Sequence, residues 1–198
     1  MVLHQVTMAG DTFTIFDRVH SHIDFRRGTT DDLLLKLINS PEMQRLRRVK
    51  QLGWSDLVFP AANHSRFSHS LGVLAMTRKF IIRLEQLGLQ FDEAQKFFLE
   101  SAALLHDIGH GPFSHAFEKA TGDDHEKRTL EIIKDSSTEI NRVLNEYDHK
   151  FPDQYALFFD PEDGACEDEI LINLSLKEII SSQLDADRFD YLIRDSLT

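Results

Sequence analysis

Three histidines and one aspartate lie close together in the fifteen-residue stretch SAALLHDIGHGPFSH, which covers residues 101–115. His106 is followed directly by Asp107, and His110 and His115 come next. An imidazole nitrogen and a carboxylate oxygen together suit a divalent transition metal better than calcium, which prefers oxygen ligands alone. The pattern indicates a metal site at the His–Asp pair, with His110 and His115 left for chemistry outside the metal ligands.

The residues in front of this pair have the spacing of a buried helix, so the pair is expected near the end of that helix. Gly109, Gly111 and Pro112 then interrupt the helix and bring the backbone close to the site. Adjacent helical side chains diverge by about 100°, so His106 and Asp107 can share one ion only if it lies between their directions. A buried histidine beside an aspartate is more often a hydrogen-bonded pair, so the metal interpretation requires further ligands elsewhere. The apolar residues with helical spacing are Phe97, Phe98, Ala102, Leu104 and Leu105.

Further candidate ligands lie on two other expected helices. Periodic apolar residues predict a long helix over 66–87, with His69 in its first turns. Near the end of the chain, Asp187, Tyr191 and Asp195 are spaced four residues apart and therefore share one helix face. A carboxylate, a phenol and a second carboxylate in one row could serve a metal and then a ribose. The alternative is an exposed acidic face, which a chain with 33 acidic residues easily produces.

The composition limits the class of protein. A chain of 198 residues with 41% hydrophobic residues fits one well-packed domain. The net charge of −11 argues against a general nucleic-acid binder, although nucleotide substrates remain open through a metal and local positive charge. A single cysteine, Cys166, excludes an intramolecular disulfide, and no signal pattern or membrane-length apolar run is present, so we expect a soluble cytoplasmic protein. The strongest positive cluster, which is either an anion site or a solvated helix face, contains Arg45, Arg47, Arg48 and Lys50.

The periodicity predicts an all-α helical bundle preceded by a short arm. Weak alternation within residues 1–30 predicts a β-hairpin or irregular arm, and residues 31–198 are expected to form the helical core. Residues 116–124 have the pattern of a helix end and an acidic loop. Residues 151–168, which contain two prolines, a glycine and several acidic residues, are expected to be a surface loop, and the segment 170–198 is helical again.

Together these residues resemble a known signature. His69, His106, Asp107 and Asp187 resemble the H…HD…D pattern of the HD-domain metal-dependent phosphohydrolases. Four ordered blocks, QRLRRVKQLG, RFSHSLGV, LLHDIGHGPFSH and LDADRFDYLIRD, closely resemble the deoxynucleoside triphosphate (dNTP) triphosphohydrolase branch of that family. The resemblance implies an HD-domain helical bundle with these four residues as metal ligands. The implied reaction uses a metal-activated water to split a dNTP into a deoxynucleoside and inorganic triphosphate.

The resemblance also implies roles for side chains around the ligands. His110, His115 and His125 match the additional active-site histidines, which orient the attacking water, protonate the leaving oxygen or bind phosphate. Arg66 and Arg188 match phosphate-binding positions, although many relatives carry lysine in place of Arg188. One divalent ion per site is implied, and two imidazoles with two carboxylates do not choose among Fe, Mn, Ni, Zn and Mg.

Sugar recognition separates the candidate substrates. Gln51, Tyr191 and Asp195 match the positions that bind the deoxyribose and its 3′-hydroxyl, which favours a dNTP. The alternatives are an HD phosphohydrolase that acts on nucleoside monophosphates, cyclic nucleotides or oligonucleotides, and a non-catalytic nucleotide-sensing HD module. Intact ligands and intact additional histidines argue against the non-catalytic alternative.

Two departures from the family pattern concern regulation and length. Gln44 and Arg47 match positions that bind nucleotide effectors between subunits, so the resemblance implies a homo-oligomer and a nucleotide effector for the full-length protein. Asn39 replaces the carboxylate with which some relatives recognise guanine, and an amide cannot accept two N–H bonds, so guanine-specific activation is not expected. Relatives continue beyond the final block, so we expect this chain to be a fragment of a longer protein, and the alternative is a minimal HD core.

Overall fold

A computed structural model describes residues 11–59, 61–159, 176–180, 182 and 185–197. The described chain is mainly helical, with a two-stranded sheet at its start, which confirms the predicted all-α class with a short N-terminal hairpin. Residues 176–180 are also helical, and short 3₁₀ turns occupy Leu46–Arg48 and Gly53–Leu57. The strands and main helices are β1 (Thr12–Asp17), β2 (Ser21–Arg26), α1 (Asp31–Asn39), α2 (Pro41–Arg45), α3 (Arg66–Gln86), α4 (Glu93–Leu105), α5 (His115–Thr121), α6 (His125–Lys134), α7 (Glu139–Tyr147), α8 (Phe151–Phe159) and α9 (Ala186–Ser196).

The hairpin of β1 and β2 is antiparallel, and its register pairs Asp17 with Ser21 across the turn. Alternate residues of β2 point into the protein, where Ile23 and Phe25 are buried in the hydrophobic core. This alternation joins the arm to the helical bundle.

The helix α3 is the central element of the bundle and packs against both α4 and α9. It begins at the predicted position because the side chain of Ser65 accepts a hydrogen bond from the backbone N–H of Ser68. Gly72 allows the close approach of α9, since a Cβ at this position would lie 1.8 Å from Oδ1 of Asp190. The contacts of α3 with both neighbours bring three segments of distant sequence to one place.

The helix α4 positions the pair His106 and Asp107, which follows its last residue. A capping box between Asp92 and Gln95 starts the helix, and its apolar residues from Phe97 onward are almost completely buried. The helix ends at Leu105 with His106 as the C-cap residue, as the spacing predicts. Residues 115–121 form α5, and Gly122 ends that helix with φ of +74° just before Asp123 and Asp124, which agrees with the helix end and acidic loop expected over 116–124.

The expected surface loop over 151–168 is wrong where the structure describes it, because Phe151–Phe159 is the helix α8. Pro152 lies in the first turn, where its missing N–H has no helical partner to lose. Phe151, Tyr155 and Phe158 follow helical spacing and are buried against α4, where the ring of Tyr155 stacks on Phe98 with centroids 4.5 Å apart. The rest of that segment, with Cys166, lies outside the described residues, and no described helix is long and apolar enough to cross a membrane.

Candidate active site

Four side chains from three helices meet at the predicted metal site. Nε2 of His69 on α3 lies 2.9 Å from Oδ1 of Asp187 on α9 and 3.8 Å from Oδ2 of Asp107. Nε2 of His106 lies 3.6 Å from Oδ2 of Asp107 and 3.9 Å from Oδ1 of Asp187. Donors that share an ion at roughly 2.1 Å lie about 3.0 Å apart in an octahedron and about 3.4 Å apart in a tetrahedron. The observed spacing therefore fits one divalent ion.

The hydrogen bonds of the two imidazoles support this fit. Nδ1 of His69 donates to Oδ2 of Asp190 at 2.7 Å, and Nδ1 of His106 donates to the carbonyl oxygen of Ala103 at 2.8 Å. Both Nε2 atoms are buried and have no aligned hydrogen-bond partner. A buried polar atom without a partner costs free energy, and a metal ligand whose other ring nitrogen donates to an acceptor has this arrangement.

The charges of this group are tightly coupled. Burial disfavours protonated His69, but the carboxylates of Asp187 and Asp190 outweigh burial and raise its pKa to about 9. Burial favours neutral Asp107, but His106 and Arg66 outweigh burial and hold the pKa of that carboxyl well below its usual range. The pKa of Asp187 is also lowered, because its contacts with His69 and His106 outweigh burial. The carboxylates are thus ionised and ready to bind a cation.

Arg66 contributes to the site by holding Asp107. Its guanidinium is buried, with Nη1 bonded to Oδ2 of Asp107 and Nε donating to Oγ of Ser114 at 2.9 Å. Ser114 and the preceding Phe113 have φ of +52° and +63°, which is a strained conformation for residues other than glycine. The hydroxyl of Ser114 also donates to the carbonyl oxygen of Lys50, so this strained turn is anchored at two points.

A second polar cluster lies next to the metal site and contains all three predicted catalytic histidines. Nδ1 atoms of His110 and His125 each lie 3.0 Å from Oε1 of Glu118, and Nδ1 of His115 bonds Oε2 at 3.0 Å. Nε2 of His110 lies 3.4 Å from Oδ1 of Asp107, which connects the two clusters. The side chain of His115 is 64% exposed whereas that of His110 is buried, so His115 is the histidine that faces solvent.

The stacking of two rings distinguishes this cluster from a metal site. His110 and His125 are 12° from parallel, with centroids 3.9 Å apart. Imidazole lone pairs lie in the ring planes, so two stacked rings cannot both direct a lone pair at one ion. In contrast, His69 and His106 are tilted by 74° and their Nε2 atoms face the same carboxylates. Of the two groups of suitable ligands found in the described chain, the one with His69 and His106 is the better metal site.

The second cluster is arranged around one negative charge. Burial raises the pKa of Glu118, but its contacts with His115 and the nearby His125 and His110 outweigh burial and lower it. Burial lowers the pKa of His110 to about 4, with Asp107 opposing and Arg66 reinforcing this shift. His110 is therefore neutral at physiological pH, whereas Glu118 is ionised and can hold the exposed His115.

Arg45 and Gly109 shape the turn between the two clusters. Arg45 belongs to the predicted basic cluster, but its guanidinium turns inward and donates to the carbonyl oxygens of Ile108 and His110. A Cβ on Gly109 would lie 2.0 Å from the carbonyl oxygen of His125, so only glycine allows α6 to approach this closely. The predicted basic cluster is therefore not one continuous solvated surface.

The predicted substrate residues lie around the same region. Arg188 follows Asp187 on α9, and its side chain is 51% exposed. Asp195, on the same helix, bonds through Oδ1 to Nε2 of His64 at 2.9 Å. Tyr191 lies between Arg188 and Asp195 in the sequence, and its side chain is partly buried. Gln51 has a buried Oε1 without a hydrogen-bond partner.

The predicted effector residues form local contacts. Gln44 accepts a hydrogen bond from Nε of Arg47 at 2.7 Å and donates to the carbonyl oxygen of Ile38. The guanidinium of Arg47 lies 3.7 Å from the centre of the ring of Phe67, and the amide of Asn39 donates to the carbonyl oxygen of Leu35. All of these contacts lie within one chain, whereas the predicted effector site lies between subunits, so effector binding stays a prediction.

Glu118, Asp190 and Arg45 were not identified as site residues from the sequence. Glu118 lies one helical turn after His115, a spacing that could have indicated contact. The contact between Asp190 and His69 joins residues 121 apart, and that of Arg45 with His110 joins residues 65 apart. No local pattern reveals such pairs.

Known proteins with related sequences and structures bear on this site. YwfO of Bacillus subtilis is 42% identical over 91% of this chain and 39% of its own length. The deoxynucleoside triphosphate triphosphohydrolase SAMHD1 of Gallus gallus is 32% identical over 98% of this chain and 35% of its own length. A phosphohydrolase structure from Bacteroides thetaiotaomicron superposes with a TM-score of 0.74 at 34% identity, over 94% of this chain and 42% of that chain.

A hypothetical protein from Aquifex aeolicus has the same TM-score of 0.74 at 37% identity, over 94% of this chain and 46% of its own. The chain thus spans less than half the length of each of these relatives. The HD domain family model matches residues 66–195, a range that contains the four clustered metal-site side chains. With this match and the convergence of two histidines and two aspartates, the chain belongs to the HD domain family.

Proposed function

We propose that this chain is a metal-dependent phosphohydrolase that hydrolyses dNTPs to a deoxynucleoside and inorganic triphosphate. The observation that carries the proposal is the group of four donors in which His69 and His106 direct unbonded, buried Nε2 atoms at two carboxylates. When bound there, a divalent ion supplies Lewis acidity: it activates water as a nucleophile near neutral pH and polarises a phosphoryl oxygen. The donor set accepts Fe, Mn, Ni, Zn or Mg.

We assign the role of general acid to His115. Its ring is exposed, and Nδ1 is hydrogen-bonded to Oε2 of Glu118, which leaves Nε2 to donate a proton to the leaving 5′-oxygen. Glu118 orients the imidazole through this hydrogen bond, as the third member of a catalytic triad does. His110 and His125, stacked beside this pair, limit the movement of Glu118.

Phosphate binding requires local positive charge, because the chain carries a net charge of −11. We assign phosphate contact to Arg188, whose side chain is half-exposed and which follows Asp187 in the sequence. Arg66 is buried against Asp107 and contributes its charge from behind the ligand rather than from the surface. Because two arginines and a divalent ion offset the surrounding carboxylates, a triphosphate can approach this acidic protein.

Sugar recognition is assigned to Gln51, Tyr191 and Asp195. The carboxylate of Asp195 can accept a hydrogen bond from a 3′-hydroxyl, and its contact with His64 holds it in place. The buried Oε1 of Gln51 offers another acceptor. This choice of substrate is supported by the similarity to SAMHD1, and we extend it to a homo-oligomer with a nucleotide effector in the full-length protein.

Product identification tests the proposal. The purified chain is incubated with Mn²⁺ and each dNTP, and with a deoxynucleoside monophosphate and a cyclic nucleotide, and the products are resolved by ion-exchange chromatography and mass spectrometry. We expect inorganic triphosphate and deoxynucleoside from dNTPs. Orthophosphate from the monophosphate, or no product from any dNTP, would contradict the dNTP proposal.

A matched pair of variants connects turnover to the metal site. Asp187→Asn removes a ligand whose side chain is 34% exposed, so we expect the fold to survive while bound Mn²⁺ and turnover are lost together. Asp153→Asn makes the same chemical change at an exposed position of α8 and should leave both unchanged. Full turnover by Asp187→Asn would contradict the proposal that turnover requires Asp187 as a metal ligand.

A further inference from the structure

A fully buried carboxylate lies behind His69, on the side away from the other ligands. Oδ2 of Asp190 accepts the hydrogen bond of Nδ1 of His69 at 2.7 Å. A carboxylate ion can only accept, so the proton of this bond is on Nδ1 and the ring is held with Nε2 toward the candidate metal. The orientation of His69 therefore depends on the position of Asp190.

Two further donors hold Asp190 in place. Nε2 of His20 donates to Oδ1 at 2.6 Å, and Nε of Arg194 donates to Oδ2 at 2.7 Å. The ammonium of Lys79 lies 3.4 Å from Nδ1 of His20, and an ammonium can only donate, which places the proton of His20 on Nε2. Asp190 is thus a shared acceptor for three buried cationic or polar side chains.

This network reaches the N-terminal hairpin. His20 lies in the turn between β1 and β2, and Nη1 of Arg194 donates at 3.0 Å to Oδ2 of Asp17, the last residue of β1. Oδ1 of Asp17 accepts hydrogen bonds from the backbone N–H groups of Val19 and His20, both at 2.9 Å. The same side chains therefore close the hairpin turn and support a metal ligand.

The packing of α3 against α9 leaves room for this carboxylate. The position of a Cβ on Gly72 would be 1.8 Å from Oδ1 of Asp190 and 2.4 Å from Nη2 of Arg194. Glycine is therefore required for both side chains to lie against α3. Arg194 uses this proximity to donate through Nη2 to the carbonyl oxygen of Ser68, one residue before His69.

We propose that Asp190 is a positioning residue for His69, and that the hairpin is part of the metal site through His20 and Asp17. Docking of the hairpin and binding of the metal are then linked, since each stabilises the conformation that the other requires. Linkage is reciprocal: the factor by which hairpin docking strengthens metal binding is also the factor by which metal binding strengthens hairpin docking. The inference rests on the metal-binding part of the proposed function and does not depend on the substrate.

Calorimetric titration with Mn²⁺ and hydrogen exchange of the hairpin amides test the linkage without measuring turnover. We expect Asp190→Asn to weaken Mn²⁺ binding on the order of 10- to 100-fold. His20→Gln and Asp17→Asn, neither of which changes a metal ligand, should weaken it on the order of 5-fold or more. Mn²⁺ should slow amide exchange in both strands of the unmodified chain, and the hairpin variants should lose part of this protection.

Asp24→Asn is the matched control, because Asp24 is an exposed carboxylate on the same hairpin that bonds the hydroxyl of Thr14. It should bind Mn²⁺ like the unmodified chain. Thermal unfolding of each metal-free variant separates weakened binding from failure to fold, and His20→Gln and Asp17→Asn keep the test decisive if Asp190→Asn unfolds. Two results would overturn this inference alone: unchanged Mn²⁺ affinity in both folded hairpin variants, or amide exchange rates in the hairpin that do not change when Mn²⁺ is added. No Mn²⁺ binding by the unmodified chain would overturn the proposed function as well.

Discussion

Arg45 donates through Nη1 to the backbone carbonyl oxygen of His110 at 2.6 Å, which ties α2 to the turn that carries the metal-site pair. The same guanidinium also bonds the carbonyl oxygen of Ile108. The planar guanidinium of arginine can donate hydrogen bonds to two neighbouring carbonyl oxygens at once, whereas the compact ammonium of lysine does not match this geometry. The turn between His106 and His110 is therefore held by a side chain outside its own segment.

Arg45→Lys should destabilise the protein by about 1.5–3 kcal/mol, since a charged hydrogen bond is lost and a part-buried carbonyl is left unpaired. Urea unfolding monitored by circular dichroism gives the free energy of unfolding. Arg48→Lys, at an exposed position in the same segment, should change it by less than about 0.5 kcal/mol. Equal effects of the two substitutions would contradict the role given to Arg45.

Gly109→Ala should displace α6 and separate His125 from His110. The new Cβ would meet the carbonyl oxygen of His125 at 2.0 Å and the backbone nitrogen of Thr129 at 2.6 Å, and neither backbone atom can move alone. We expect a loss of about 1–3 kcal/mol together with changed histidine resonances. Gly111→Ala is the comparison, because the nearest atoms to its Cβ would be those of the Phe117 ring, at 3.1 Å and beyond, and that flexible side chain can shift. A milder effect at Gly109 than at Gly111 would refute the packing argument.

The metal-free protein should be most stable near pH 6.5. The pKa of His69 is raised to about 9, so its contribution is complete below pH 6.5 and is lost as the pH rises toward 9. The pKa of His110 is lowered to about 4, so the unfolded chain takes up the proton first, and stability falls as the pH drops from 6.5 toward 4. The loss of folding stability along each side of this profile, its acid limb and its alkaline limb, amounts to roughly 3 kcal/mol at 1.36 kcal/mol per pKa unit.

Melting temperatures between pH 4 and pH 9 measure both limbs. Bound Mn²⁺ should flatten the alkaline limb, because the ion replaces the proton on His69. His110→Gln should flatten the acid limb, whereas His149→Gln, at a side chain that is 83% exposed, should leave the profile unchanged. A stability profile without a decline on either side of pH 6.5 would show that these two histidines are not coupled to folding.

His115→Gln should reduce kcat by about 10²- to 10⁴-fold without changing Mn²⁺ affinity, since it removes the proton donor but no ligand. Glu118→Gln keeps the shape of the side chain but loses the carboxylate charge that orients His115, so a smaller loss of kcat is expected. Glu131→Gln, an exposed neighbour on α6, serves as the control. Loss of metal from His115→Gln would instead make this histidine a ligand.

Much of the candidate site could be predicted from the sequence because its information is local. The apolar spacing that defines α3 and α4 places His69 in a first turn and His106 at a helix end, as observed. The four-residue spacing that begins at Asp187 likewise predicts α9. Residue type and spacing were sufficient to select the four side chains that cluster, because each lies at a defined position of its own helix.

The rest depends on tertiary contacts between distant segments. Asp190 is not on the face shared by Asp187 and Tyr191, and its importance becomes visible only when α9 crosses α3 at Gly72. The sequence of α8 has the pattern of a loop because of Pro152 and the acidic residues after it, although three aromatic residues at helical spacing indicate a helix. Proline at a helix start and proline in a loop look alike in sequence, and burial against α4 decides between them.

The position of a bound ion tests the central claim most directly. Crystals of the chain soaked in Mn²⁺ and measured at the manganese absorption edge give an anomalous difference map that locates the ion without reference to activity. We predict one strong peak within bonding distance of Nε2 of His69, Nε2 of His106 and the carboxylates of Asp107 and Asp187. A peak at Glu118 and its histidines, or no peak among these four side chains, would contradict the account.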